Sequence, residues 1–95
     1  NVYDVIIVSN YKYESVQYIK MRYLSYAYNY NDESIEITLN HPENLVSLSS
    51  WRVKISNIGE CSKLKNLYSC KTTYRSNSIV SLKHLRRVFS YNDYY

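Results

Sequence analysis

Three lines of the sequence, PENLVSLSS, SKLKNLYSC and LKHLRRVFS, align on Leu45, Leu64 and Leu85, at spacings of 19 and 21 residues. Extended backwards, Met21 lies 24 residues before Leu45, and Val2 lies 19 before Met21. Each anchor has an aliphatic partner three residues later: Val5, Leu24, Leu48, Leu67 and Val88. Two further columns stand three and six residues before the anchor. They read Leu82 and Ile79, Cys61 and Ile58, Pro42 and Leu39, and, failing the pattern, Tyr18 and Ser15. Ile, Leu, Val, Met and Phe make up 26 of 95 residues, so 18 such slots would hold about 5 by composition alone, yet 14 are filled. The excess marks a repeat.

The spacing within a line argues against a helix. Apolar residues at i, i+3, i+4 and i+7 make a stripe, whereas the run of threes Ile79, Leu82, Leu85, Val88 drifts around a helix. A chain that turns through a short tight segment and then enters a strand accounts for it better. A unit of 19–24 residues is too small to bury its apolar side alone, so stacking the units must supply the core. The implied units are 1–20, 21–44, 45–63, 64–84 and 85–95. The expected fold is an α/β repeat, a solenoid with one short parallel strand per unit and irregular or short helical connections. The start at Asn1 and the ending YNDYY suggest a segment of a longer chain.

In its lines VYDVIIVSN, MRYLSYAYN, LVSLSSWRV, LKNLYSCKT and LRRVFSYND the chain resembles the leucine-rich repeat family, whose signature is L-x-x-L-x-L-x-x-N. The resemblance implies that asparagines eight after the first leucine, here Asn10 and Asn29, bond backbone groups where the chain leaves the strand. The column continues as Val53, Thr72 and Asp93; Val53 can form no such bond, which leaves the third unit's register open. The third leucine column reads Ile7, Tyr26, Ser50, Ser69, Ser90, so either the core thins under three serines or the strand ends earlier. Arg22-Tyr23-Leu24, Ser34-Ile35 and Asn44-Leu45 follow the order of irregular repeats that are similar to those of plant intracellular immune receptors. Degenerate repeats of A+T-rich protists or large DNA viruses match about as well.

Side chains alternate along a strand, so the columns beside the leucines are expected on an open, concave face. The candidate partner-binding residues there are Arg22, Tyr23, Tyr28, Trp51, Arg52, Lys65, Tyr68, Lys71, Arg86, Arg87, Phe89 and Tyr91, with Cys70 beside Lys71. Asp4 and Asp93 are the acids at strand positions; Glu14, Asp32, Glu33, Glu36, Glu43 and Glu60 fall in connections. The chain carries a formal charge of +4. Trp51 is expected along the rim of the sheet, Cys61 in the core, and His41 and His84 in solvent. Tyrosine occurs 13 times, which A+T-rich codon usage explains without function.

The leading expectation is a non-enzymatic protein-interaction module whose partner protein presents an acidic or mixed apolar patch. The immune-receptor resemblance would make that partner an effector or a neighbouring domain held at rest. The alternative is a single-stranded nucleic-acid module in which cations follow phosphates and aromatics stack bases. Glycine occurs once, so a glycine-rich phosphate loop is excluded. H-E-x-x-H, G-x-S-x-G and paired catalytic carboxylates do not occur, and no small-molecule substrate is implied. Cys61 and Cys70, nine residues apart, with His41 and His84 far off make no zinc spacing, so neither metal nor cofactor is expected. With two cysteines, no N-x-S/T and no apolar run of membrane length, the expected setting is cytoplasmic, away from a membrane.

Overall fold

The computed structural model describes residues 3–91. Val2 and Asp93 of the columns above lie outside these described residues. Five strands, β1 (Asp4–Ser9), β3 (Tyr23–Tyr28), β5 (Ser47–Trp51), β7 (Asn66–Cys70) and β8 (Arg87–Tyr91), form one parallel sheet in that order. Three more, β2 (Ser15–Val16), β4 (Ile35–Leu39) and β6 (Val53–Ile55), form a second parallel sheet. The connections add 3-10 turns at Pro42–Asn44 and Ile58–Glu60 and a short helix α1 (Ser76–Ile79).

Pairing in the first sheet follows the sequence columns. Val5 faces Leu24, Leu24 faces Leu48, Leu48 faces Leu67 and Leu67 faces Val88. The register of the third unit is thereby fixed by Leu48. Each strand entry repeats one backbone device. The carbonyls of Tyr3, Arg22, Val46 and Lys65 each accept two N–H groups from the next unit, at 2.7–3.2 Å. The core lies between the two sheets. Leu24, Leu48 and Leu67 come from the first; Ile35, Ile37, Leu39, Val53 and Ile55 come from the second; Met21, Leu45 and Leu64 close it below the strands. Burying one such aliphatic side chain is worth about 1.5–3 kcal/mol.

The single strand expected per unit is therefore corrected. The first three units each carry a second strand in the connection, and Glu36, expected in a loop, lies on β4. The alternation Ile35-Glu36-Ile37-Thr38-Leu39 is a period-two signal whose odd members are buried and even members exposed. It was present in the sequence and hidden by the threefold column that shares Leu39.

Under the serine column the core is neither empty nor uniform. Tyr26 fills it in the second unit, with its ring edge-on to Tyr13 at 6.3 Å. Ser69 is buried, and its hydroxyl donates to the carbonyl of Thr72 at 3.0 Å while lying 2.8 Å from the Thr72 hydroxyl. A buried hydroxyl without such partners would cost about 1–3 kcal/mol, so the two residues make sense as a pair.

The asparagine ladder expected at Asn10 and Asn29 also shifts. Both side chains are exposed. The amide that mends the backbone belongs to Asn57, just past β6. Its Oδ1 accepts from the N–H of Leu39 at 3.0 Å, and its Nδ2 donates to the carbonyl of Leu39 at 2.8 Å. Beside it the Tyr74 hydroxyl accepts from the N–H of Ile55 at 2.8 Å, closing the open edge of β6. The family pattern points eight residues past the first leucine, whereas in this chain the groups to be mended lie in the second sheet. Asn57→Ala should destabilise the fold by about 1–3 kcal/mol in urea unfolding, with Asn29→Ala within about 0.5 kcal/mol of wild type. Equal losses for the two would contradict this assignment.

Candidate functional site

The outward face of the first sheet is built from alternate strand positions. One row reads Asp4, Tyr23, Ser47, Asn66, Arg87; the next Ile6, Ser25, Ser49, Tyr68, Phe89; the third Val8, Ala27, Trp51, Cys70, Tyr91. Of the candidate residues, Tyr23, Trp51, Tyr68, Arg87, Phe89 and Tyr91 occupy this face. Four rings crowd one half of it, with exposures of 38 % for Trp51 and Tyr68, 53 % for Phe89 and 43 % for Tyr91. In-register neighbours of a parallel sheet are about 4.8 Å apart, which sets Tyr68 beside Phe89 and leaves Cys70 between Trp51 and Tyr91.

Tyr28 is a correction. It is buried, because it lies four residues past Leu24 on a strand that runs on to Tyr28, and even spacing keeps it on the core side. Burial raises its hydroxyl pKa above the ordinary value, with Glu33 adding to the effect. The counterparts Arg52 and Lys71 escape that fate because β5 and β7 stop one residue short. Both leave the strand in the left-handed region, at φ 59° and 64°. Arg52 is the whole corner between β5 and β6, a place where glycine would be ordinary. The conformation lets the N–H of Arg52 donate to the carbonyl of Cys70 at 2.9 Å, and that of Lys71 to the carbonyl of Tyr91 at 2.6 Å.

The cations thus stand at the rims of the face, with Arg87 as the basic strand position. Arg22, Lys65 and Arg86 are exposed at the strand entries. Arg22 covers the ring of Tyr3 at 5.0 Å. At the opposite rim, Arg52 and Lys71 approach the Trp51 ring at 5.6 and 5.8 Å, and Lys71 approaches Tyr91 at 5.7 Å. Arg52 also donates to the carbonyl of Asp32 and lies 3.2 Å from its Oδ1. That pair is exposed on the aspartate side, so it positions the guanidinium more than it stabilises the fold. Beside it a shallow hollow of about 350 Å3 is lined by Asn29, Tyr30, Asn31, Asp32, Trp51 and Arg52. The expectation of cations and aromatics mixed on one concave face gives way to an aromatic face with basic rims. Five-residue strands are too short to hold the flanking columns.

The remaining candidates fall into place. Cys61 is buried, and burial pushes its thiol up to about 12, leaving it protonated and unreactive. Cys70 is a free thiol, half-buried between Trp51 and Tyr91 in the third row. His41 lies 3.5 Å from Glu43, and His84 is exposed. Among the described residues, no three His, Cys, Asp or Glu side chains gather as a metal site, and no helix is long and apolar enough to cross a membrane. No family model, curated protein or solved structure matches the chain.

Two cations beside one ring make Trp51 a reporter of the local field. The iodide-to-caesium quenching ratio of Trp51 should exceed that of free N-acetyltryptophanamide about twofold or more, with the excess falling as salt rises. A ratio equal to or below that of the free compound would contradict a positive rim.

Proposed function

We propose that the chain is a leucine-rich-repeat-like solenoid that serves as a non-enzymatic protein-interaction module. The in-register leucine column and one first-sheet strand per unit support the solenoid reading. The carrying observation for function is the cluster of Trp51, Tyr68, Phe89 and Tyr91 exposed together on one sheet face. Aromatic residues are the usual anchors of protein interfaces, and a contiguous exposed apolar patch generally marks an interaction site. Arg87 within the face and Arg52 and Lys71 at its rim favour a partner whose apolar centre is edged by Asp or Glu. The two free cysteines support a reducing, cytoplasmic setting. Recognition of an effector or restraint of a neighbouring domain rests on the immune-receptor resemblance of Arg22-Tyr23-Leu24, Ser34-Ile35 and Asn44-Leu45 alone.

The same rings beside Arg86 and Arg87 could stack bases of a single strand, and one experiment separates the readings. A panel of peptides rich in Asp, Glu, Leu and Phe is titrated against the protein with Trp51 fluorescence as readout. Labelled single-stranded RNA is titrated in parallel at two salt concentrations. Saturable peptide binding, weakened about tenfold or more by Phe89→Ala or Tyr68→Ala, is the expected result. RNA binding that exceeds peptide binding, falls steeply with salt and is lost in Arg86→Glu/Arg87→Glu would overturn the protein-partner reading.

A further inference from the structure

A second group of cations lies away from the aromatic rings, at the strand entries of the first sheet. The buried anchors Met21 and Leu64 are each flanked by two of them, Lys20 and Arg22 around the one and Lys63 and Lys65 around the other. All four are exposed. Lys20 and Arg22 line a hollow of about 280 Å3 together with Tyr3 and Asn44. Its walls come from the first, second and third units, so stacking the units creates it. Arg22 is fixed there from both sides: its N–H donates to the carbonyl of Tyr3 at 2.7 Å, and its own carbonyl accepts from Val46 and Ser47. Its guanidinium rests over the Tyr3 ring at 5.0 Å.

The four lining side chains are an ammonium, a guanidinium, an amide and a phenol, and each can donate a hydrogen bond. Asn44 accepts from Lys63 Nζ through its Oδ1 at 3.4 Å, which brings a third cation beside the hollow and leaves the amide N–H groups to donate. The neighbouring acids are placed otherwise. Glu43 lies 3.5 Å from His41, and Asp4 stands opposite Tyr23 in the outward row of the sheet. Two cations and two neutral donors match a phosphoryl group, with its charge near −2 and three acceptor oxygens, better than a single carboxylate.

We propose that this hollow receives a phosphorylated side chain of the partner protein, an inference that rests on the protein-interaction reading above. Lys20 and Arg22 hold the phosphoryl oxygens, and the Asn44 amide and Tyr3 hydroxyl complete the donor set. Its place relative to the rings fixes a spacing. Tyr68 and Phe89 stand two and three strands across from the Arg22 strand and three residues further along. At about 4.8 Å per strand and about 3.3 Å per residue the separation is roughly 14–18 Å, or about four to five residues of extended chain. The partner segment therefore carries its phosphate four or five residues from the apolar side chain that meets the rings.

Fluorescence anisotropy of labelled synthetic peptides tests this, with circular dichroism confirming the fold of each variant. Each peptide carries a Phe-Leu anchor and, two to seven residues away, phosphoserine, serine or glutamate. Phosphoserine should tighten binding about tenfold over serine, most strongly at a spacing of four or five residues. Lys20→Ala/Arg22→Ala should abolish that gain and leave the serine peptide unchanged, whereas Phe89→Ala should weaken both. Serine peptides that bind without any gain from phosphorylation, or glutamate that serves as well as phosphoserine, would overturn the inference alone. Absence of binding by every peptide would overturn the protein-interaction reading and the inference with it. Single-stranded RNA binding lost in Lys20→Ala/Arg22→Ala, with peptide binding unaltered, would assign the hollow to a nucleic-acid phosphate and equally overturn it.

Discussion

Everything in this structure depends on the in-register parallel pairing that stacks Val5, Leu24, Leu48, Leu67 and Val88 into one column. A single unit offers only a few aliphatic side chains, and no unit of this size could offset the loss of chain entropy alone. Pairing in register lets each unit cover the leucine of its neighbour, so burial accumulates along the stack. The same register decides what stands on the other side. A one-residue slip would exchange the leucines with the aromatic rows, so the core column and the candidate interaction surface are two faces of one constraint.

The scarcity of glycine shapes the corners of that stack. With Gly59 as the single glycine, the left-handed turns fall to Asn31, Asp32, Arg52 and Lys71. Asparagine and aspartate tolerate this conformation; arginine and lysine do so at a cost of about 1–2 kcal/mol each. At those two positions the strained backbone also makes a hydrogen bond to the adjacent strand and brings a cation against Trp51. Structural cost and surface chemistry therefore meet at the same residues, a pattern common where a surface is used.

The first-sheet core is legible in the sequence because its leucines recur at fixed offsets through several units, which is enough to stack Leu24, Leu48 and Leu67 in one column. The second sheet was not read, although Ile35, Ile37 and Leu39 spell it, because a five-residue alternation is easily absorbed into a coarser pattern. Strand length was the other blind spot. It moved Tyr28 into the core and Arg52 and Lys71 to the rim, and sequence periodicity says nothing about where a strand stops. Asn57 and Tyr74 were invisible for a different reason. Each mends a backbone group 18 or 19 residues away, a pairing that only the three-dimensional stack creates.

Methyl–methyl proximity measured by NMR on leucine- and valine-labelled protein tests the column most directly. The account predicts an unbroken series of contacts, Val5 to Leu24, Leu24 to Leu48, Leu48 to Leu67 and Leu67 to Val88, with Leu48 touching both neighbours. A series broken at Leu48, or one in which Leu24 meets Leu67 instead, would contradict the register on which the core and the aromatic face both rest.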